Sequence, residues 1–129
     1  MLWPELDTPA LRIDLDKMER NLEEMAAAAR SRGVQMRPHT KTHKMPEIAR
    51  RQVGLGAVGI TVAKLGEAEV MARAGLRDIF VCYPLVGETK LRRLRELARE
   101  VNMMTIVESA EGAQGLSEAC RAKRRRSMC

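Results

Sequence analysis

Residues 57–83 read AVGITVAKLGEAEVMARAGLRDIFVCY. Two nearly unbroken apolar runs, 57–63 and 79–83, flank a segment of helical spacing that stops at Gly75. Short runs of this kind suit strands buried on both faces, and a helix between two of them makes the strands parallel. The alternation continues on both sides. Residues 34–40 form a candidate strand weakened toward its end by Pro38, and 46–54 a helix with Pro46 in its first turn. Further on, residues 88–101 place Leu91, Leu94, Ala98 and Val101 on one helical face, 103–107 (MMTIV) read as a strand, and Ser109 caps a helix over 111–122. Upstream, residues 11–15 (LRIDL) alternate like a strand. Asp16 with Glu19 resembles a capping box, and Met18, Leu22, Met25 and Ala29 make the apolar face of a helix that Gly33 stops. The four downstream strands start near 34, 57, 79 and 103, a regular spacing. The fold class is therefore α/β. Two layouts fit, an open doubly wound sheet or a partial (β/α)8 TIM barrel of about four βα units; a whole barrel takes about 250 residues, and the chain has 129.

Composition narrows the function classes. Apolar residues make up 45% and charged residues 31%, which excludes disorder along the whole chain. The longest apolar run, 55–63, has nine residues, where a membrane-spanning helix needs about twenty. Glu5, Asp7, Arg12 and Asp14 rule out an ordinary secretory signal at the start. The net charge of +6 points to nucleic acid until its distribution is considered. Arg121, Lys123, Arg124, Arg125 and Arg126 all lie in the last nine positions, and the rest is close to neutral. With only Trp3, Phe80 and Tyr83 as aromatics, base-stacking platforms are absent. The organisation expected is one barrel domain over residues 1–120 and a basic tail over 121–129, disordered or a frayed helix. Three cysteines without CxxC spacing indicate a reducing, cytoplasmic environment.

GLGAVG at 54–59 satisfies G-x-G-x-x-G, but it follows a helix and opens a strand, the reverse of a dinucleotide-binding turn. The segment with chemistry is 37–44, RPHTKTHK. If strand alternation persists, Arg37, His39 and Lys41 share one face. In α/β folds the C-terminal ends of strands carry the ligand site. A lysine there, among Arg37, His39, His43 and Lys44, has neighbours that disfavour a protonated amine, and a deprotonated lysine is the nucleophile for a carbonyl. The same residues also suit a solvated basic loop with two capping histidines. Two histidines alone do not close a zinc site.

The strings DTPALRIDLDKMERNLEEM, RPHTKTHKMPEIARRQ and GAVGITVAKLGEAEVMARAGLRDIFVCYPLVG together resemble the N-terminal region of the D-threonine aldolase and D-serine dehydratase group, alanine-racemase-like, fold-type III pyridoxal-phosphate enzymes. The resemblance covers residues 7–117 and is sharpest at RPHxKTHK followed by PEIA. It implies an alanine racemase-like N-terminal barrel domain. It also implies pyridoxal 5'-phosphate held covalently by the first lysine of KTHK, here Lys41, with Arg37 and His39 as further cofactor-binding residues. The activity implied is a lyase on D-amino acids: aldol cleavage of a β-hydroxy D-amino acid to glycine and an aldehyde, or elimination of water as in D-serine dehydratase. The group also uses a divalent metal, whose ligands come from chain beyond the matched region, and full-length members allow a homodimer. Where a further strand is due, near 126, the sequence reads AKRRRSMC, which cannot make a buried parallel strand. The expectation is a truncated or frameshifted form. The alternative is a non-catalytic or binding protein acting through its basic tail.

Overall fold

The computed structural model describes residues 6–126, with side chains described through Arg121. Its elements, in chain order, are α1 (Leu15–Ser31), a 3-10 turn (Thr40–Thr42), α2 (Pro46–Gly54), β1 (Ile60–Val62), α3 (Leu65–Arg73), β2 (Asp78–Val81), α4 (Glu88–Leu97), β3 (Asn102–Thr105) and α5 (Ala110–Arg126). The strands make one parallel sheet in the order β1-β2-β3. In register, Ile60 faces Ile79 and Met103, and Val62 faces Val81 and Thr105.

That register sorts the sheet into two unlike faces. Ile60, Val62, Ile79 and Val81 are fully buried and form the core with Ala49, Leu65, Ala68, Met71, Ala72 and Leu76, while Leu91, Leu94 and Met103 pack at its margin. All the helices that contribute to this cluster therefore cover the same face. The alternate rung, Thr61, Phe80 and Met104, takes no part in it. One helix-covered face and one inward face is the layout of a partial (β/α)8 barrel, and it disposes of the doubly wound sheet, which carries helices on both.

The helix ends follow local signals. Asp14 caps α1 by accepting the Lys17 N–H at 3.1 Å. At the other end Gly33 adopts φ 64°, the Gly33 N–H reaches Arg30 O and the Val34 N–H reaches Ala29 O, a terminus that needs a residue tolerant of left-handed backbone. The same pair of bonds closes α3 at Gly75 and Leu76. Ser109 caps α5 through the Gly112 N–H at 3.0 Å.

Several expectations are corrected. Residues 11–14 are not a strand, and Leu15 already belongs to α1. Leu11 is fully exposed, and no described strand lies beside this segment to pair with it. The α1 cap is Asp14 rather than Asp16, because Asp14 stands three residues before the N–H it accepts. Residues 34–40 yield a single bridge, His39 to Thr61, instead of a full strand. Met36 O and Pro38 O accept the Val58 and Thr61 N–H groups at 2.9 and 2.8 Å, but Pro38 has no N–H to return. α4 stops at Leu97 rather than 101, and α3 starts at Leu65 rather than 67. The backbone remains helical from Arg121 to Arg126, and residues 127–129 lie outside the described residues.

Candidate active site at the strand outlets

Lys41 sits in the 3-10 turn that follows the His39 bridge, at the end where the parallel strands deliver their C-termini. Five hydrogen bonds hold this turn. Thr40, 1% exposed, donates its hydroxyl to Thr61 O at 3.2 Å, and its own carbonyl accepts the His43 and Lys44 N–H groups at 3.2 and 2.7 Å. His39 Nδ1 accepts the Lys41 N–H at 3.2 Å. His43 Nδ1 accepts the Met45 N–H at 3.0 Å, just before α2. Both histidines are thus capping residues, as the sequence allowed, with Lys41 between them.

The surroundings separate the two lysines. Lys44 lies 3.6 Å from Glu67, whose side chain is only 11% exposed and also accepts the Ala63 N–H at 2.9 Å. Lys41 is exposed and its amine has no ion pair or hydrogen bond among the described residues. Arg37 is not beside Lys41 either: its guanidinium pairs with Asp78, at the start of β2. The crowd of cations expected around Lys41 is accordingly thinner than the sequence suggested, with two of its members already neutralised.

The pKa of each histidine is lowered from the ordinary imidazole value. Burial lowers the His39 pKa and Lys41 lowers it further, against an opposing pull from Glu67. Burial also lowers that of His43, outweighing its contacts with Gln52 and the Met45 backbone. An Nδ1 that accepts a backbone N–H places the proton of neutral imidazole on Nε2. In His43 that atom is buried facing Gln52 Oε1 without an ideal hydrogen bond. In the unfolded chain the histidines titrate near 6.5, and in the fold they do so lower. The unfolded state therefore binds more protons in the interval below 6.5, and stability falls as pH falls through that interval. Urea midpoints measured from pH 7.5 to 5 should decline. A His39→Asn/His43→Asn variant, in which the amide oxygen takes over each cap, should lose most of that slope; a slope equal to that of the unmodified protein would exclude the histidines as its source.

Thr40, Thr61 and Glu67 escaped the sequence reading. Glu67 had a legible signal, since it occupies the third position of α3, where a carboxylate reaches back to N–H groups before the helix. A cavity of about 560 Å³ opens at the same end of the sheet, lined by Ala63, Lys64, Gly66, Tyr83, Lys90 and Arg93 among others; Lys41 does not line it. Arg93 is engaged there by Glu69, with bonds of 2.7 and 2.6 Å that hold the Glu69 carboxyl below its usual range. Among the described residues no group of three or more His, Cys, Asp and Glu side chains could hold a metal ion, and no helix is long and apolar enough to cross a membrane.

Residues 13–129 match the family model of the alanine racemase N-terminal domain. The chain is 43% identical over 114 residues to a D-threonine aldolase of Arthrobacter sp, covering 88% of this chain and 30% of that protein. It is 39% identical over 112 residues to a D-threo-3-hydroxyaspartate dehydratase of Delftia sp. (strain HT23), covering 87% and 30%. The crystal structure of a D-threonine aldolase from Filomicrobium marinum superposes with a TM-score of 0.88 at 48% identity, over 91% of this chain and 32% of that one. The chain thus spans about 30% of the length of the relatives it matches.

Proposed function

The chain belongs to the alanine racemase N-terminal domain family, and from that premise we propose that it carries the cofactor lysine, Lys41, of a pyridoxal-phosphate-dependent lyase acting on β-hydroxy D-amino acids. The observation that carries this reading is the isolation of Lys41: an exposed amine at a strand outlet, on a turn fixed by Thr40 and His39, with no partner among the described residues. A carbonyl-bearing cofactor needs such an amine. Lys44, exposed but tethered to Glu67, is the poorer candidate.

When bound, pyridoxal 5'-phosphate supplies an electron sink for a bond broken at the substrate Cα. The protein's own contribution is to hold the cofactor at Lys41 Nζ and to fix the backbone that presents it. His39 keeps Nδ1 on the Lys41 backbone N–H, and burial, helped by the Lys41 charge, lowers its pKa. Glu67 keeps the competing Lys44 amine occupied. Among the described residues there is no ligand set for a divalent metal.

Aldol cleavage to glycine and an aldehyde is favoured by the D-threonine aldolase relatives, at 43% and 48% identity. Dehydration is the second reading, supported by the hydroxyaspartate dehydratase at 39%. Both require the same lysine. Incubation with pyridoxal 5'-phosphate, borohydride reduction and peptide mapping should find the label on Lys41, most readily in a chain extended to the length of the relatives. Lys41→Ala should abolish it. Label on Lys44 instead would refute the assignment. Product analysis of the extended chain then separates glycine plus aldehyde from an oxo acid plus ammonia.

A further inference from the structure

Arg37 belongs to the same motif as Lys41, yet its guanidinium is engaged elsewhere. The registers explain where. His39 pairs with Thr61, so Arg37 stands across from Gly59; Ile60 pairs with Ile79, so Gly59 stands across from Asp78; and Asp78 pairs with Asn102. Arg37, Gly59, Asp78 and Asn102 therefore share one rung, at the end of the sheet opposite Lys41. Arg37 and Asp78 are two strands apart, about 10 Å of backbone separation. The guanidinium bridges that gap by lying across Gly59. A Cβ on Gly59 would overlap Arg37 Nη1 and would sit 2.6 Å from Asp78 O and 2.7 Å from Asp78 Oδ1. Only glycine leaves the passage open.

Asp78 is shared between two donors. Arg37 Nη1 donates to Oδ1, and Asn102 Nδ2 donates to Oδ2 at 2.7 Å. Burial alone would raise the Asp78 pKa, but these two donors and the Arg37 charge hold it below the usual carboxylate range. The segment's other ties to β1 are two backbone bonds, to Met36 O and Pro38 O, the Thr40 hydroxyl on Thr61 O at 3.2 Å, and a long contact of 3.4 Å from the Thr61 hydroxyl to Arg37 O. A strand so thinly paired is prone to slip, and a slip of one residue turns every side chain to the other face. It would put Met36 or Pro38 over Gly59, and neither can reach Asp78.

We infer that Arg37 is a positioning residue for Lys41, setting the register of the segment that carries it through a passage at Gly59 and an ion pair with Asp78. The role in catalysis rests on the reading of Lys41 given above; the register itself does not. Arg37→Met, the milder Asp78→Asn and the charge-keeping Arg37→Lys test it in the 129-residue chain by amide hydrogen exchange. With Arg37→Met, exchange at Val58, Thr61, His43 and Lys44 should accelerate by about tenfold or more while Ile79 and Val81 stay protected. Arg37→Lys should restore most of that protection, and Asp78→Asn should fall between. Glu69→Gln, which weakens the α3–α4 ion pair instead, is the control for general loss of stability. Equal acceleration in that control, or none in Arg37→Met, would overturn the register inference. In the extended chain, Arg37→Met should shift borohydride-trapped label from Lys41 toward Lys44, and Arg37→Lys should reverse the shift. Accelerated exchange with label still confined to Lys41 would show a structural role only. An unmodified extended chain without label at Lys41 would remove the cofactor reading and leave the exchange result to decide the register.

Discussion

Ile79→Ala is expected to lower the unfolding free energy by about 2–5 kcal/mol, the usual cost of emptying a packed aliphatic site. Ile79 is 0% exposed, lies in the central strand, and is flanked in register by Ile60 and Met103. The helix-side neighbours, Ala68 and Ala72 among them, are small and belong to a helix fixed at both ends, so they cannot move in to fill the space. Against a total of about 5–15 kcal/mol for a domain, that loss is severe. Val70 on the outer side of the same helix is 45% exposed, and Val70→Ala should change stability by no more than about 0.5 kcal/mol. Urea titration of both variants, with the slope unchanged, is the measurement. Equal losses would mean that the core is not where the burial places it.

Thr40→Val is the second large effect. The two side chains have the same shape, so the substitution removes a hydroxyl and little else. Thr40 is almost wholly buried and its hydroxyl donates to Thr61 O. Removing one partner of a buried hydrogen bond costs about 1–3 kcal/mol. The position of the loss matters as much as its size. Thr40 O accepts from both His43 and Lys44, so loosening Thr40 should loosen the turn on which Lys41 rides. Chemical denaturation reads the first effect and amide exchange at His43 and Lys44 the second. A neutral Thr40→Val would show that shape, not hydrogen bonding, anchors the turn.

The βα alternation was readable because it depends on local chemistry. Apolar runs such as ITV and IFV mark strands covered on both faces, and glycines after α1, α2 and α3 mark where each helix must stop. The reading failed where a partner decides the outcome. LRIDL has a strand's alternation, but without a neighbouring strand its N–H and C=O groups have no ladder to join. Residues 34–40 keep an extended backbone, yet they pair on one side only and carry a proline, so one bridge is all that forms.

Around the candidate site, the sequence misjudged the company that the motif keeps. The alternation does not run on to Lys41, which lies in the 3-10 turn Thr40–Thr42 with its backbone N–H on His39 Nδ1. Arg37 is engaged by a carboxylate 41 residues further along the chain, a separation no local pattern encodes. Glu67 is similar: its effect on Lys44 depends on the fold bringing α3 beneath the turn. Gly59 was visible only as one glycine of a misleading motif. Its purpose emerges when the strands on either side of it are in place.

The reach of Arg37 across a neighbouring strand also orders events in time. The sheet contacts join consecutive elements, β1 with β2 and β2 with β3, and each can form as a local step. The Arg37 contact cannot, because its partner is absent until β2 has docked against β1. Before that moment the segment 34–39 is aligned only by its bonds to Val58 and Thr61. The Arg37 tie is thus the one part of that alignment which waits for β2. A nascent chain would carry Lys41 without this tie for as long as β2 was still being made, and would gain it only when Asp78 arrived.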